Sequence, residues 1–485
     1  MIDSHRLKPL LALSLVVMML GMSASIGITE DSPPNEETEL PQVIEPRSTH
    51  GGLNIPGSTG GSVYSASTIY ATWNFTCAVL NTNGMKCWGE GNFGKLGDGN
   101  WDNSMEPVNV QLGNNAGINT ATEVGTGLSH HTCAMMTDST LQCWGEDWYG
   151  QNGHGSSGGF HGGDNTPVVV NMPTGRTALT VTTGGHHTCS IMDNSSLWCW
   201  GQAGSGQLGT GTFADQNIPV LVPLPTNASP IAVSAGWDST CIILQNNTGM
   251  CTGSNQDGQL GDGTQANTSS SFSPISVLPP NSNLSAISMG ARHTCGLLKN
   301  GSIYCWGLNT WGQLGDNTTE PRNDSSVQVI LPAGRTAIAV DLGLRHTCAI
   351  LDDNSAVCWG DNEYGQIGDG TTTDRLTPTA ISFPGGIGVA TISAGRVHTC
   401  AVVMNGSVYC WGAHHLGQLG NGLADSDIPM YVNLSTGGQY HHASLGERDL
   451  DDDGILSIFD DTPYPPPVCP MGQYVVGYEC IEASP

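Results

Sequence analysis

Fourteen cysteines fall into seven pairs, each with its partners ten residues apart, and the pairs recur every 52 to 56 residues. They are Cys77 with Cys87, Cys133 with Cys143, Cys189 with Cys199, Cys241 with Cys251, Cys295 with Cys305, Cys348 with Cys358, and Cys400 with Cys410. Around each pair runs one text, seen in full at Gly290 to Asn317 as GARHTCGLLKNGSIYCWGLNTWGQLGDN. Such a period belongs to architectures in which no unit stands alone and each buries its apolar face against the next.

Within the unit, HTCGLL and SIYCWG are two short runs of strand formers separated by Lys299, Asn300 and Gly301. A hairpin folded about Asn300 puts Leu298 opposite Ser302, Leu297 opposite Ile303 and Cys295 opposite Cys305. The cysteines then form a non-hydrogen-bonded pair with Cα atoms about 4.5 Å apart, near the short end of what a disulfide accepts. Seven hairpin disulfides are expected, each closing an eleven-residue loop worth about 2.8 kcal/mol in the chain-entropy model. The spacing is wrong for a zinc ribbon, which wants two residues between cysteines. A three-residue hairpin loop needs a left-handed last residue. That position holds Asn83, Ser139, Ser195, Asn247, Gly301, Asn354 and Gly406, so the two serines fit least well.

The rest of the unit is a glycine-rich turn, a Pro-containing strand such as Ser326 to Pro332, and an apolar alternation, GRTAIAVDLG. Four short strands per unit without helical periodicity make a propeller blade. The motif G-x-x-H-T-C followed by G-x-x-x-C-W-G-x-N-x-x-G-Q-L-G-D-G resembles the regulator-of-chromosome-condensation repeat in a cysteine-bearing form. The resemblance covers about residues 63–445 and implies an all-β fold, a seven-bladed β-propeller. Three units depart from the motif. The first has Thr72 and Phe75 for Gly and His, the second shifts its glycine to Gly127, and the fourth has Ser239 for His and Thr252 for Trp.

Outside the repeats, a short basic start, the apolar run Leu10 to Leu20 and small residues after it read as a signal peptide over 1–25, or as a membrane anchor if uncleaved. Residues 26–62 read as an acidic, Pro-rich spacer. Either the stretch around Ile69 to Thr72 or Gly438 to Gly446 completes the ring. Residues 446–462 hold DLDDDGILSIFDD, in which Asp449, Asp451, Asp453, the Ile455 carbonyl, Ser457 and Asp460 follow the spacing of a calcium-binding loop, with Gly454 at the sharp turn. A structural Ca2+ is expected there. The Pro-rich segment 463–485 ends with Cys469 and Cys480, an expected eighth disulfide.

Regular cysteine pairs and a leader point to an exported or cell-surface protein in an oxidising compartment. A formal net charge of −28, with only 14 Lys plus Arg, opposes binding to nucleic acid. Contact with a membrane is expected only through an uncleaved N-terminal anchor. No nucleophile elbow, phosphate loop or HExxH motif is present, so an enzyme is not expected. His131, His187, His293, His346 and His398 sit on different blades and read as buried structural residues rather than a metal ring, and the tryptophans after each second cysteine read as blade packing. Four N-x-S/T sequons, at Asn194, Asn246, Asn300 and Asn405, fall on hairpin tips, where the same residues are ordinary turn chemistry.

The expected function is recognition of a protein or glycan at the cell exterior, in the manner of a secreted propeller of the resembled family that inhibits β-lactamases. A carbohydrate-active propeller enzyme is the alternative; guanine-nucleotide exchange, implied by the family's nuclear branch, is opposed by export and acidity. Phe93, Tyr149, Trp311 and Tyr364 precede G-Q-L-G in their units, and Trp101, Trp148 and Phe160 fall in the loops that vary most. These seven are the expected partner surface, although packing against the neighbouring blade would account for the first four.

Overall fold

The computed structural model describes residues 65–435 apart from 83, 113–119, 126, 159–161, 265 and 423, together with the backbone of 473–476 and 479–482. The leader, the spacer, the calcium-loop residues 449–460, Gly438 to Gly446, Phe160, Cys469 and the side chain of Cys480 lie outside the described residues. Among the described residues no helix is long and apolar enough to cross a membrane.

Seven four-stranded antiparallel sheets follow one another along the chain, spanning 66–109, 121–169, 178–221, 230–274, 284–328, 337–381 and 389–432. Each sheet keeps its strands in sequence order. First strands of successive sheets lie side by side from blade 2 round to blade 1, and the first strand of blade 2 lies beside the second strand of blade 1, so the sheets stand as blades around an axis. The expected seven-bladed propeller is therefore the fold. Blade 1 takes its first strand from Ala66–Ala71, so the N-terminal stretch completes the ring.

The hairpin register is as the spacing demands, with Leu297 opposite Ile303 and the two cysteines of each unit directly opposite one another. Cys77 is bonded to Cys87, Cys133 to Cys143, Cys189 to Cys199 and Cys241 to Cys251. Cys295 is bonded to Cys305, Cys348 to Cys358, and Cys400 to Cys410. The Cα separations of 4.0 to 4.1 Å are shorter than the expected spacing, because the covalent bridge draws the two strands together. All fourteen of these cysteines are buried between the blades and none is free, so their part is structural and none lines a surface.

Both serines at the third loop position adopt the left-handed conformation, Ser139 at φ 67° and Ser195 at φ 61°. The residue before each supplies what serine lacks. Asp138 Oδ1 accepts the Thr140 N–H at 3.0 Å, and Asn194 Oδ1 accepts the Ser196 N–H at 3.1 Å, so an Asx turn holds the strained residue from both sides. The sequon asparagines are thus already employed as turn formers. Asp138 and Asp353 do the same task in two of the three blades that lack a sequon at the tip; the third, blade 1, has Thr82 there.

One boundary differs from expectation. The fourth strand of blade 5 is Arg322–Gln328 rather than Ser326 to Pro332. The pairs Gly307 with Arg322 and Tyr304 with Gln328, across a bulge, end the ladder at Gln328. Val329 still donates to the Ile303 carbonyl, but Pro332 opens the turn closed by Arg335.

Blades are joined by a repeated set of buried bonds. The H-T-C histidine of one blade meets the H-T-C threonine of the next: His131–Thr188 at 2.6 Å, His187–Thr240 at 2.8 Å, and His293–Thr347, His346–Thr399 and His398–Thr76 at 2.9 Å. Each of these threonine hydroxyls donates to the backbone carbonyl of the G-Q-L-G glutamine, as Thr347 does to Gln313 at 3.0 Å. With its hydrogen so used, the hydroxyl can only accept from the imidazole. Nε2 therefore carries the proton, and Nδ1 is buried without a partner in all five histidines. The preceding glycine leaves room for the ring: a Cβ on Gly343 would lie 2.5 Å from His346 Cε1.

The same glutamine carbonyl takes a second bond from the indole that follows the second cysteine, as Trp359 Nε1 gives to Gln313 at 2.9 Å. Six such tryptophans are fully buried. Gly315, at φ 72°, lies under the Trp359 edge, where a Cβ would come within 2.7 Å of Nε1. In blade 4, where Thr252 replaces the indole, Phe272 from the fourth strand fills the space above Gly209.

Two joints lack the imidazole bond. Phe75 stands in for histidine at the joint of blades 1 and 2, leaving Thr132 Oγ1 unpartnered, and Ser239 stands in at the joint of blades 4 and 5 with its own Oγ unpartnered. Gly236 is retained beside Ser239, so the space for a ring persists. Ser239→His should therefore restore the stitch to Thr294 and stabilise the ring by about 1 kcal/mol, the net worth of a buried hydrogen bond. A raised denaturant midpoint at unchanged slope checks this, and a lowered midpoint rejects it.

Candidate recognition face

In an antiparallel blade the connection from first to second strand and the connection from third to fourth strand emerge on the same face. The first connection lies near the axis and carries Trp73 in blade 1, His130 in blade 2, His186 in blade 3 and Trp237 in blade 4. These four rings converge. Trp73 and Trp237, three blades apart in a ring of seven, meet at 4.2 Å between centroids, so they reach across the axial mouth. His130 lies 5.3 Å from Trp73 and stacks on His186 at 5.1 Å. The Arg396 guanidinium of blade 7 covers Trp73 at 4.6 Å, a cation–π contact.

His186 Nδ1 is 2.6 Å from the buried Glu146 carboxylate. Burial, with Lys95 and His186 close by, holds His130 well below the ordinary imidazole range. The mouth is thus aromatic, half-buried and neutral at His130, with a cation at Arg396.

Around it stand the third-to-fourth connections. Phe93 is held in the left-handed conformation at φ 61° and meets Trp148 edge-on at 6.2 Å. Tyr149 lies 5.3 Å from His186, Tyr364 lies 5.4 Å from His415, and Trp311 is covered by Arg345 at 4.1 Å. Each of these four side chains touches the following blade and remains partly exposed. Trp101 is half-buried. Trp148, 55% exposed and lying over Gly162, is the most open aromatic of the face.

Of the seven residues expected to meet a partner, the six described ones all lie on this face. The axial cluster is absent from that expectation, because Trp73, His130, His186 and Trp237 occupy two adjacent positions before H-T-C that vary freely from unit to unit. The signal was present as the aromatic or imidazole character of those positions in units one to four. His130 and His131, adjacent in sequence, part company: His130 joins the mouth and His131 makes a joint.

Comparison with known proteins bears on the fold and the repeat. The regulator of chromosome condensation (RCC1) repeat model matches residues 194–243, 251–297, 300–350 and 355–402, and a second RCC1 repeat model matches 231–259, 285–313, 337–366 and 389–418. The ultraviolet-B receptor UVR8 of Arabidopsis thaliana is 27% identical over 368 residues, covering 75% of this chain and 81% of the receptor. The human E3 ubiquitin-protein ligase HERC2 is 27% identical over 335 residues, which are 67% of this chain but only 7% of the ligase. Among solved structures, yeast RCC1 (Prp20) bound to Kap60 superposes with a TM-score of 0.64 at 19% identity over 76% of this chain and 85% of that one. Human WBSCR16 gives 0.62 at 17% identity over 70% of this chain and 86% of its own.

Proposed function

We propose that this chain, which carries matches to RCC1 repeats between residues 194 and 418, is an exported, non-enzymatic recognition scaffold whose partner docks on the face bearing the axial aromatic cluster. The observation that carries the reading is the convergence of Trp73, Trp237, His130 and His186 at the mouth, with the open Trp148 on its rim. Half-buried aromatic rings flanked by arginine are the composition of binding hot spots. Seven buried disulfides support an oxidising compartment. The acidic composition supports a partner other than nucleic acid.

A photo-crosslinking residue at position 148 should capture an exterior protein or glycoprotein that the same residue at Tyr431, equally exposed on an outer strand, does not. Trp148→Ala should weaken that partner by about 1 to 2 kcal/mol, as loss of an interface anchor does, and leave the melting temperature unchanged. Capture from position 431 alone, or equal loss of binding and folding, would reject the face.

A further inference from the structure

Seven copies of one loop give an internal control, and blade 2 breaks the pattern in a chemically specific way. In blade 5, Asn309 Oδ1 accepts the Leu314 N–H at 2.9 Å, its amide donates to the Asp316 carboxylate at 3.3 Å, and Arg322 neutralises Asp316 at 2.9 Å. Blade 6 repeats this with Asn362, Asp369 and Arg375. Arg322 and Arg375 stand opposite Gly307 and Gly360 in the ladder, and the residue opposite the matching Gly145 in blade 2 is Asp164.

Counting along the loop, Asp147 takes the place of the asparagine, His154 that of the aspartate and Asp164 that of the arginine. A neutral trio of amide, carboxylate and guanidinium has become two carboxylates and an imidazole. The loop backbone is retained, since the Asn152 N–H still donates to Asp147 Oδ1 at 2.8 Å.

The three side chains converge, with one donor atom from each within 4.8 Å of the others. Asp147 is buried, and His154 Nδ1 lies 3.7 Å from its Oδ2. Ser156 Oγ holds the other ring nitrogen at 2.8 Å, while His154 Nδ1 is inaccessible and has no hydrogen-bond partner. Asn152 is fully buried; its amide donates to Asp164 Oδ2 at 2.8 Å, and its Oδ1 is left without a partner. Among the described residues His154 is the sole ion-pair partner of either carboxylate. Two carboxylates here face one imidazole, with the buried His154 Nδ1 and Asn152 Oδ1 unpartnered beside them, where blades 5 and 6 set an arginine against a single carboxylate.

We propose that this loop binds one divalent transition-metal ion through Asp147, His154 and Asp164, with zinc the best fit. An imidazole with two carboxylates suits zinc, whereas calcium and magnesium prefer oxygen donors alone. Ser156 is the outer partner that orients the histidine, as second-shell groups do in such sites. The loop so tied down carries Trp148 and Tyr149, so the ion would fix part of the recognition face.

The test uses the full chain, stripped of metal and dialysed against micromolar zinc. Wild type should retain one equivalent more than the triple variant Asp147→Asn, His154→Asp, Asp164→Arg, which writes the trio of blades 5 and 6 into blade 2. His154→Gln should lose the same equivalent. Zinc should raise the melting temperature of wild type and not of the triple variant. Equal zinc content in wild type and both variants would overturn the site. Calcium, whose expected loop is at 449–460, should bind wild type and variants alike; a calcium difference in place of a zinc difference would overturn the choice of ion.

Discussion

Acidification from pH 7 to pH 4 should destabilise the ring by the order of 10 kcal/mol, by way of the histidines that join the blades. Burial lowers His187, His293, His346 and His398 to about 3, and holds His131 well below the ordinary imidazole range. An unfolded histidine titrates near 6.5. Above that pH both states carry neutral imidazole, and the stability is fully present. Below it the unfolded chain gains protons that the native state refuses, so each histidine costs about 1.4 kcal/mol per pH unit until the native value is reached. Four such groups over two units give the quoted magnitude. Glu123, raised by burial to about 8, acts in the opposite sense, favouring the native state at low pH and losing that contribution as pH rises from its unfolded value through 8; Asp147, Asp238 and Asp361, also raised by burial, act in the same sense by smaller shifts, so the histidines dominate. Denaturant unfolding with disulfides intact, at pH 7, 5.5 and 4, measures the slope. A midpoint that stays flat across that range would mean that protons reach these imidazoles in the folded ring.

Removing one disulfide as a pair, Cys295→Ala with Cys305→Ala, should cost about 3 kcal/mol, chiefly by freeing an eleven-residue loop in the unfolded chain. Both residues are fully buried between blades, and the other six pairs are buried with them. A thiol reductant therefore has no path to them in the native ring. Thiol titration under native conditions with reductant should find none of the fourteen, and titration in denaturant should find all. Stepwise release of pairs under native conditions would show blades opening one at a time, and would remove burial as the reason for their persistence.

The cysteine spacing alone reached the hairpin register, because a period-two strand with a three-residue turn leaves no freedom once Cys295 faces Cys305. Blade count followed from counting units. The edge of the fourth strand was misplaced by four residues, since Val327 and Val329 look like strand interior while the bulge near Gly307 had already moved the ladder. Serine at the hairpin tip looked unfavourable because its relief comes from Asp138 and Asn194, whose acceptor role is a side-chain matter that propensity does not contain. Trp148 and its neighbours were found where unit lengths vary. The axial cluster and the Asp147–His154–Asp164 trio were not, for opposite reasons: the first varies without a repeat to anchor it, and the second emerges only when blade 2 is read as a set of substitutions in a salt bridge that the structure shows in blades 5 and 6.

Each blade is built from one unbroken stretch of chain, and blade 7 meets blade 1 through His398 to Thr76 and Trp88 to Gln418, the same two bonds in kind that join blades 2 and 3, 5 and 6, and 6 and 7. This has a bearing on how the ring assembles as the chain is made. A chain emerging from its N-terminus finishes blade 1 before blade 2 has appeared, and each cysteine finds its partner ten residues on, whereas the nearest competing cysteine is 42 to 46 residues further along. Short loops close faster than long ones, so oxidation in order of emergence favours the native pairs without an isomerase to correct them. What remains for the end is a single docking event, and it needs no strand to be threaded into a waiting sheet. Moving the chain ends to any other hairpin-free connection between blades should therefore leave a protein that still closes.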